Sequence, residues 1–227
     1  MAQQLTFDLP TKTARGRGDF FISGCNKLAV KMLEDWPNWP NLKLVLVGPK
    51  SAGKSHLAHV WANDIEANIS QAKHLASADI PNLSQTPTVI ENVAEIATDM
   101  AAQKSLFHLH NLMQTSGIPL LLTADLPPAR WGLSLPDLQS RMSATTITTL
   151  PAPDDALLAA VLLKLFNDRQ IDVQPKLVSY LVKRMDRSLE FAADLVSNLD
   201  NAALSQGCAI NQKLAAQVLD NTFENTA

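Results

Sequence analysis

The fold is decided by Gly48-Pro49-Lys50-Ser51-Ala52-Gly53-Lys54-Ser55, which matches the pattern GxxxxGK[ST] in full. Leu44-Val45-Leu46-Val47 precedes it as a continuous apolar run, which is typical of a strand buried on both faces of a parallel sheet. A helical pattern over residues 54–66 follows it. A strand, a glycine-containing turn and a helix in this order predict a loop that wraps phosphate groups at the positive end of a helix.

Outward from this stretch, apolar strand-like runs alternate with helical patterns. The further strand runs are Thr88-Val89-Ile90, Leu120-Leu121-Leu122-Thr123 and residues 145–150, and a helical pattern covers residues 99–116. This alternation predicts an α/β fold in which a parallel sheet is flanked by helices, and we assign it to residues 19–150.

After Pro151-Ala152-Pro153 only helical patterns remain. Asp154 is a suitable N-cap for an apolar helix that runs to Phe166, and further helices are expected over residues 175–184, 188–205 and 211–223. We interpret residues 151–227 as a small all-helical lid domain; the alternative is that these helices extend the first core. Residues 1–18 are interpreted as a flexible tail.

Composition limits the class of protein. The chain has 227 residues, of which 46% are hydrophobic and 18% charged, as in ordinary globular proteins. A net charge of -3 argues against a whole-surface electrostatic grip on DNA. The longest apolar run, residues 156–163, is too short for a bilayer, and no secretory signal is recognisable, so we expect a cytoplasmic protein without a membrane partner.

The phosphate-binding pattern implies a nucleotide, ADP or ATP, together with Mg²⁺. Its lysine supplies a cation to the β- and γ-phosphates, and its serine hydroxyl can ligate Mg²⁺. The alternative, a glycine turn with an exposed lysine, does not explain the strand before it and the helix after it. The residues predicted to contact nucleotide in this segment are Gly48, Pro49, Ser51, Ala52, Gly53, Lys54, Ser55 and His56.

A P-loop protein also needs an acid at the end of a neighbouring strand to hold the metal. Glu91 is the candidate, alone or through a second shell, and the alternative is that it only ends a strand. The next position, which is often a water-activating acid, is Asn92, and loss of a general base costs about 10²–10⁴ in rate. We therefore predict weak or no intrinsic ATPase activity, unless another acid such as Glu95 reaches the water.

Four other segments, together with the P-loop, resemble the DnaA-type AAA+ initiator family, and within it the Hda group of regulators that inactivate the initiator. The resemblance covers nearly the whole chain. The segments are Phe20-Phe21-Ile22-Ser23-Gly24 with Asn26, Leu122-Thr123-Ala124-Asp125-Leu126-Pro127-Pro128, Leu138-Gln139-Ser140-Arg141-Met142 and Asp186-Arg187-Ser188-Leu189-Glu190.

This resemblance implies roles for single residues. The first segment, with Ile22, would pack on the adenine, and Asp125 would occupy the sensor-1 position. Arg141 would be an arginine finger that acts in trans on another molecule's nucleotide, and Arg187 would be the sensor-2 arginine that faces the phosphates. Taken one at a time, each arginine could equally be an ordinary surface residue.

Three departures from the initiator pattern are visible. The usual aspartate at the metal position is Glu91, and the second acid is Asn92, in which the chain is more similar to the inactivator group. Initiators continue into a helix-turn-helix DNA-binding domain, which we do not expect here.

The tail carries Gln4-Leu5-Thr6-Phe7-Asp8-Leu9, which resembles the QLxLxL-type peptide that docks on the bacterial sliding clamp. Gln4, Leu5, Phe7 and Leu9 would make the contacts, with modest affinity. The alternative is that these apolar residues fold back on the domain.

These features together favour an adaptor that binds adenine nucleotide, docks on the sliding clamp and promotes ATP hydrolysis by the DnaA-type initiator. Such an adaptor would regulate replication initiation negatively and reach DNA mainly through the clamp; a homo-oligomer stays possible. The alternatives are a self-contained AAA+ ATPase or helicase loader, and a nucleotide-dependent scaffold.

Overall fold

The computed structural model describes residues 21–224, with side chains to residue 221. The predicted clamp-binding residues Gln4, Leu5, Phe7 and Leu9 lie outside the described residues. The strands are β1 (Lys43–Val47), β2 (Asn68–Gln71), β3 (Thr88–Glu91), β4 (Leu120–Ala124) and β5 (Thr146–Thr149). The helices are α1 (Lys27–Glu34), α2 (Lys54–Asp64), α3 (Ile80–Leu83), α4 (Met100–Thr115), α5 (Pro136–Ala144), α6 (Asp155–Asp168), α7 (Pro175–Val182), α8 (Leu189–Gln206) and α9 (Gln212–Glu224).

The strands form one five-stranded parallel sheet in the order β2-β3-β4-β1-β5. β1 lies between β4 and β5, and every residue of β1 and β4 is buried, as their unbroken apolar runs predict. The predicted α/β class with a parallel sheet is confirmed. The edge strand β2 was not predicted, because Asn68-Ile69-Ser70-Gln71 is partly exposed and has no apolar run.

Apolar layers cover both faces of the sheet. On one face, Leu106, Leu109 and Met113 of α4 pack with Val45 and Leu122. The other face is covered by side chains of α1 and α2. There the Trp39 ring stacks on Trp61 with centroids 5.3 Å apart, and so fixes the two short 3-10 turns of residues 36–42 to the core; the same cluster contains Leu44, Leu46, Leu57 and Ala58.

Helices α6 to α9 have an apolar cluster of their own, which includes Leu158, Phe166 and Leu195. Asp154 caps α6 as predicted, since its Oδ1 accepts from the backbone N–H of Leu157 at 2.8 Å. Its other carboxylate oxygen accepts from the N–H of Cys25 at 3.1 Å, so α6 is joined to the segment before α1. The domain boundary at residue 150 stays a prediction. Between residues 21 and 224 no helix has the length and apolar character needed to cross a bilayer.

Candidate nucleotide-binding site

The phosphate loop connects β1 to α2 along a tightly packed path. The N–H of Gly48 donates to the carbonyl of Ala124 at 3.2 Å, and the N–H of Leu150 donates to Val47 at 2.6 Å. A Cβ atom at Gly48 would lie 2.2 Å from the Leu150 carbonyl oxygen, so only glycine fits there. Gly53, the residue before α2, has a φ of +100°, which L side chains rarely adopt. Glycine is therefore required for a different reason at each position: Gly48 because the Leu150 backbone approaches closely, and Gly53 because its φ is positive.

Lys54 is the best-fixed cation of the site. Its side chain is 7% exposed, and its Nζ donates to the carbonyls of Gly48 and Pro49 and to Asp125 Oδ1, each at 2.8 Å. Asp125 follows the end of β4, and β4 lies beside β1 with Ala124 in register with Val47. The parallel sheet thus brings lysine and aspartate together at the carboxyl ends of its central strands, where ligands bind in open α/β sheets.

A cavity of about 710 Å³ opens at this edge between the sheet and α6. One part of its wall is apolar and contains Phe21 with Leu157 and Val161 of α6; another part is formed by the phosphate loop. Its size and its mixture of apolar and polar walls suit a nucleotide. Predicted residues that line it are Ser51, Ala52, Gly53, Lys54, Ser55, His56 and Asp125.

The start of α8 closes over the phosphate loop. The N–H of Leu189 donates to the carbonyl of Ser51 at 2.9 Å, and the Ser51 hydroxyl donates to Glu190 Oε2 at 2.5 Å. Glu190 also lines the cavity. The helical layer therefore adds a carboxylate to a cavity wall that already contains Asp125.

Glu91 is 3% exposed and is not among the residues that line the cavity. Its Oε2 accepts from Gln71 Nε2 at 2.6 Å and lies 3.6 Å from His59 Nε2, and its Oε1 has no hydrogen-bond partner among residues 21–221. An unpartnered buried carboxylate oxygen fits a metal ligand. Gln71 is not predicted from the sequence, because it comes next to Glu91 only through the pairing of β2 with β3, in which the two residues lie opposite each other.

Asn92 and Glu95 both line the cavity. Asn92 has a φ of 58°, in the left-handed region that asparagine tolerates, and its Nδ2 donates to Gln71 Oε1 at 3.1 Å. The amide is thus held at the position where a second acid would stand, while an exposed carboxylate, Glu95, lies one turn further on.

Four predicted nucleotide contacts lie outside the wall of this cavity. Gly48 and Pro49 contribute through their carbonyls to Lys54. Ile22 is 42% exposed, and its neighbour Phe21 lines the cavity together with Asn26. Arg187 points elsewhere: its Nη2 is 2.6 Å from Asp155 Oδ1, and its Nη1 donates to the carbonyl of Pro153 at 3.1 Å.

Arg141 lies on α5, away from the nucleotide cavity. It is exposed; its guanidinium carbon is 5.2 Å from the centre of the Phe107 ring, and its Nη1 donates to Gln114 Oε1 at 3.5 Å. Any contact of Arg141 with a nucleotide in this arrangement would be with one held by another molecule.

No protein-family model matches the chain. A protein of Haemophilus influenzae, described as uncharacterized, is 26% identical over 167 residues, which cover 69% of this chain and 72% of that protein. Domain III of the replication initiation protein DnaA from Thermotoga maritima aligns with a TM-score of 0.76 and 16% identity, over 89% of this chain and 94% of that one.

Two other solved structures are also similar. AMPPCP-bound DnaA from Aquifex aeolicus gives a TM-score of 0.69 at 15% identity, over 82% of this chain and 65% of that one. The Thermotoga maritima RuvB Holliday junction branch migration motor gives 0.66 at 17% identity, over 86% and 68%. At these identities the likeness is one of fold: the chain has the AAA+ fold that DnaA and RuvB share.

Proposed function

We propose that the chain binds ADP or ATP, with Mg²⁺, in the cavity beside the phosphate loop. The observation that carries the proposal is Lys54, held by backbone carbonyls and Asp125 at the polar end of a cavity of nucleotide size. Ser55, which lines the cavity, and Glu91, with its unpartnered oxygen, would hold the metal, and magnesium when bound neutralises phosphate charge.

Calorimetry with ADP and ATP in the presence of magnesium tests this binding. Lys54→Ala is expected to weaken binding by about tenfold or more, because a charge-assisted contact to the phosphates is lost. Lys176→Ala, which removes an exposed lysine of α7, is the matched control and should bind as the parent does. Failure of both nucleotides to bind the folded parent protein would refute the proposal.

The chain's own residues support weak hydrolysis. Asn92 cannot accept a proton at neutral pH, and its amide is already bonded to Gln71. A nucleotide-binding protein without a general base at this position suits a partner-directed role better than that of a motor.

We further propose that this role is to regulate replication initiation, as the resemblance to the Hda group implies. The chain would dock on the sliding clamp through Gln4, Leu5, Phe7 and Leu9, and would contact ATP-bound DnaA-type initiator through an AAA+ interface. Arg141 would then be offered to the initiator's nucleotide, and its exposure on α5, outside the chain's own cavity, supports such a trans role.

Two assays separate these steps. Phosphate release from ATP-loaded initiator is followed with clamp on DNA: Arg141→Ala should slow it about 10³-fold or more, whereas Arg130→Ala, another exposed arginine, should not. Clamp pull-down is compared between the parent and a Gln4→Ala, Phe7→Ala double variant. Unchanged phosphate release with Arg141→Ala contradicts the trans role, and unchanged pull-down contradicts the clamp contact.

A self-contained ATPase or helicase loader is the second candidate, and the observation that favours it is Glu95 in the cavity wall. It predicts appreciable ATP turnover by the purified chain, lost on Glu95→Gln as well as on Lys54→Ala. ATP turnover that persists in Glu95→Gln would contradict the catalytic role of Glu95 on which this second candidate is based.

A further inference from the structure

A second, smaller cavity lies at the opposite edge of the sheet from the nucleotide site. Its volume is about 110 Å³, and three basic side chains line it: Lys43 of β1, His110 of α4 and Arg141 of α5. Lys43 is the first residue of β1, and the phosphate loop follows the last, so the two cavities are separated by the length of the strand, roughly 13 Å. The other lining residues are Pro40, Asn41, Gln114, Ala144 and Thr145, none of them acidic.

The two buried bases of this cavity lack counter-ions within residues 21–221. Lys43 is 2% exposed, and its Nζ donates to the carbonyl of Ile118 at 3.1 Å without an ion pair to any described carboxylate. His110 is 5% exposed, and its Nδ1 has no hydrogen-bond partner in the same part of the chain. Buried charges and ring nitrogens are normally paired, and a bound anion would supply the partner that the ammonium and the ring nitrogen both lack.

Both buried bases have lowered pKa values, and the charges of Lys43 and Arg141 act on His110. Burial lowers the pKa of Lys43 to about 8. Burial, followed by the charges of Lys43 and Arg141, lowers the pKa of His110 to about 4. Positive potential is therefore concentrated where these side chains meet, and an anion placed there would relieve it.

The backbone that leads into the cavity is strained. Asn41 and Leu42, immediately before Lys43, have φ values of 54° and 55°. Two successive non-glycine residues in the left-handed region are rare, and a leucine there is a genuine outlier. Such strain concentrates at ligand sites, and here Asn41 and Lys43 both line the cavity.

We propose that this cavity is a binding site for a phosphate-class dianion, held by Lys43, His110 and Arg141. Three donor groups from three different elements suit a tetrahedral oxyanion. The volume of about 110 Å³ suits a single phosphate group rather than a whole nucleotide. The site is separate from the nucleotide cavity; it shares Arg141 with the trans role proposed above, but the experiment below observes His110 and does not depend on that role.

Proton NMR of the His110 imidazole, assigned with His110→Gln, reports on this cavity alone. Inorganic phosphate is titrated into the intact chain and into Lys54→Ala, in which the phosphate loop has lost its cation. The His110 resonances are expected to shift saturably in both proteins, and the pKa of His110 should rise when phosphate is bound. Because the signal comes from His110, the result is the same whether or not the other cavity binds nucleotide.

Lys43→Met is expected to weaken phosphate binding about tenfold or more, because it removes a charge-assisted contact while keeping the length of the side chain. Lys176→Met, which removes an exposed charge from α7, should bind phosphate as the parent does. Lys43→Gln provides a second loss of charge should the methionine variant fold poorly.

Adenosine monophosphate separates two sources of the anion. If it shifts the His110 resonances as phosphate does, the site accepts a phosphate ester from the open side; if only inorganic phosphate does so, the site takes the free ion. The proposal is overturned if neither moves the His110 resonances, or if Lys43→Met and Lys176→Met bind phosphate equally well.

Discussion

Gly48→Ala tests whether the first glycine of the phosphate loop is required by packing rather than by phosphate. The added Cβ would stand 2.2 Å from the Leu150 carbonyl oxygen and 3.3 Å from the Leu150 Cβ. Ordinary contact begins near 3.4 Å, so β1 and the chain after β5 must separate by about 1 Å. That movement strains the 2.6 Å hydrogen bond from the Leu150 N–H to Val47.

Overpacking of this kind costs about 1–3 kcal/mol, which in a chain of this size lowers the melting temperature by roughly 2–12 °C. The measurement is thermal unfolding without nucleotide, so that phosphate contacts play no part. Gly24→Ala is the matched control, because its Cβ would meet nothing closer than 3.7 Å. Equal melting temperatures for Gly48→Ala and the parent would show that the close approach to Leu150 does not constrain this position.

For three further substitutions, charge decides whether stability or ADP binding should rise or fall. In the folded state the pKa of His110 is lowered from its ordinary 6.5 to about 4, so the free energy of unfolding falls by on the order of 3 kcal/mol as pH drops from 6.5 through 4. In urea unfolding, this pH dependence should disappear in His110→Gln and remain in His74→Gln, an exposed control. Lys43, with its pKa lowered from 10.5 to about 8, is a buried cation at pH 7. Lys43→Met removes the cost of burying this charge, which outweighs the loss of the hydrogen bond to the Ile118 carbonyl, and should raise stability there by about 1–2 kcal/mol; a lower melting temperature would contradict this. Glu190→Gln should tighten ADP binding roughly two- to fivefold by calorimetry, because a carboxylate leaves the phosphate end of the cavity, while exposed Asp137→Asn should not.

The central strands and the phosphate loop could be predicted because their signals are local. β1 and β4 are buried on both faces, so their sequences are unbroken apolar runs, and the loop is fixed by glycines at set spacing. The start of α6 could also be predicted from the sequence, since Asp154 precedes a long apolar helix and caps it. Each of these features is decided within about ten residues of sequence.

What could not be predicted depends on neighbours distant in sequence. β2 is an edge strand with two exposed residues, and Gln71 matters only because the register sets it opposite Glu91. Arg187 was expected to face phosphates, but Asp155 and the Pro153 carbonyl hold it outside the cavity wall, and no local pattern shows that pairing. The basic cavity around Lys43 likewise brings together residues from three elements.

Two of the carboxylates that line the nucleotide cavity, Asp125 and Glu190, bear on what it binds. Asp125 is bonded to Lys54, and Glu190 is bonded to Ser51, so both stand where phosphate oxygens would approach the loop. A phosphate chain must displace Asp125 from the lysine and repel Glu190, unless a cation accompanies it. Since Glu190 is the second residue of α8, and the N–H of Leu189 donates to the same loop, we expect relief of that repulsion to shift the start of α8. We therefore expect the contact of α8 with the phosphate loop to depend on nucleotide charge: a ligand with more uncompensated charge would favour release of Glu190, and one paired with magnesium would favour the contact seen here.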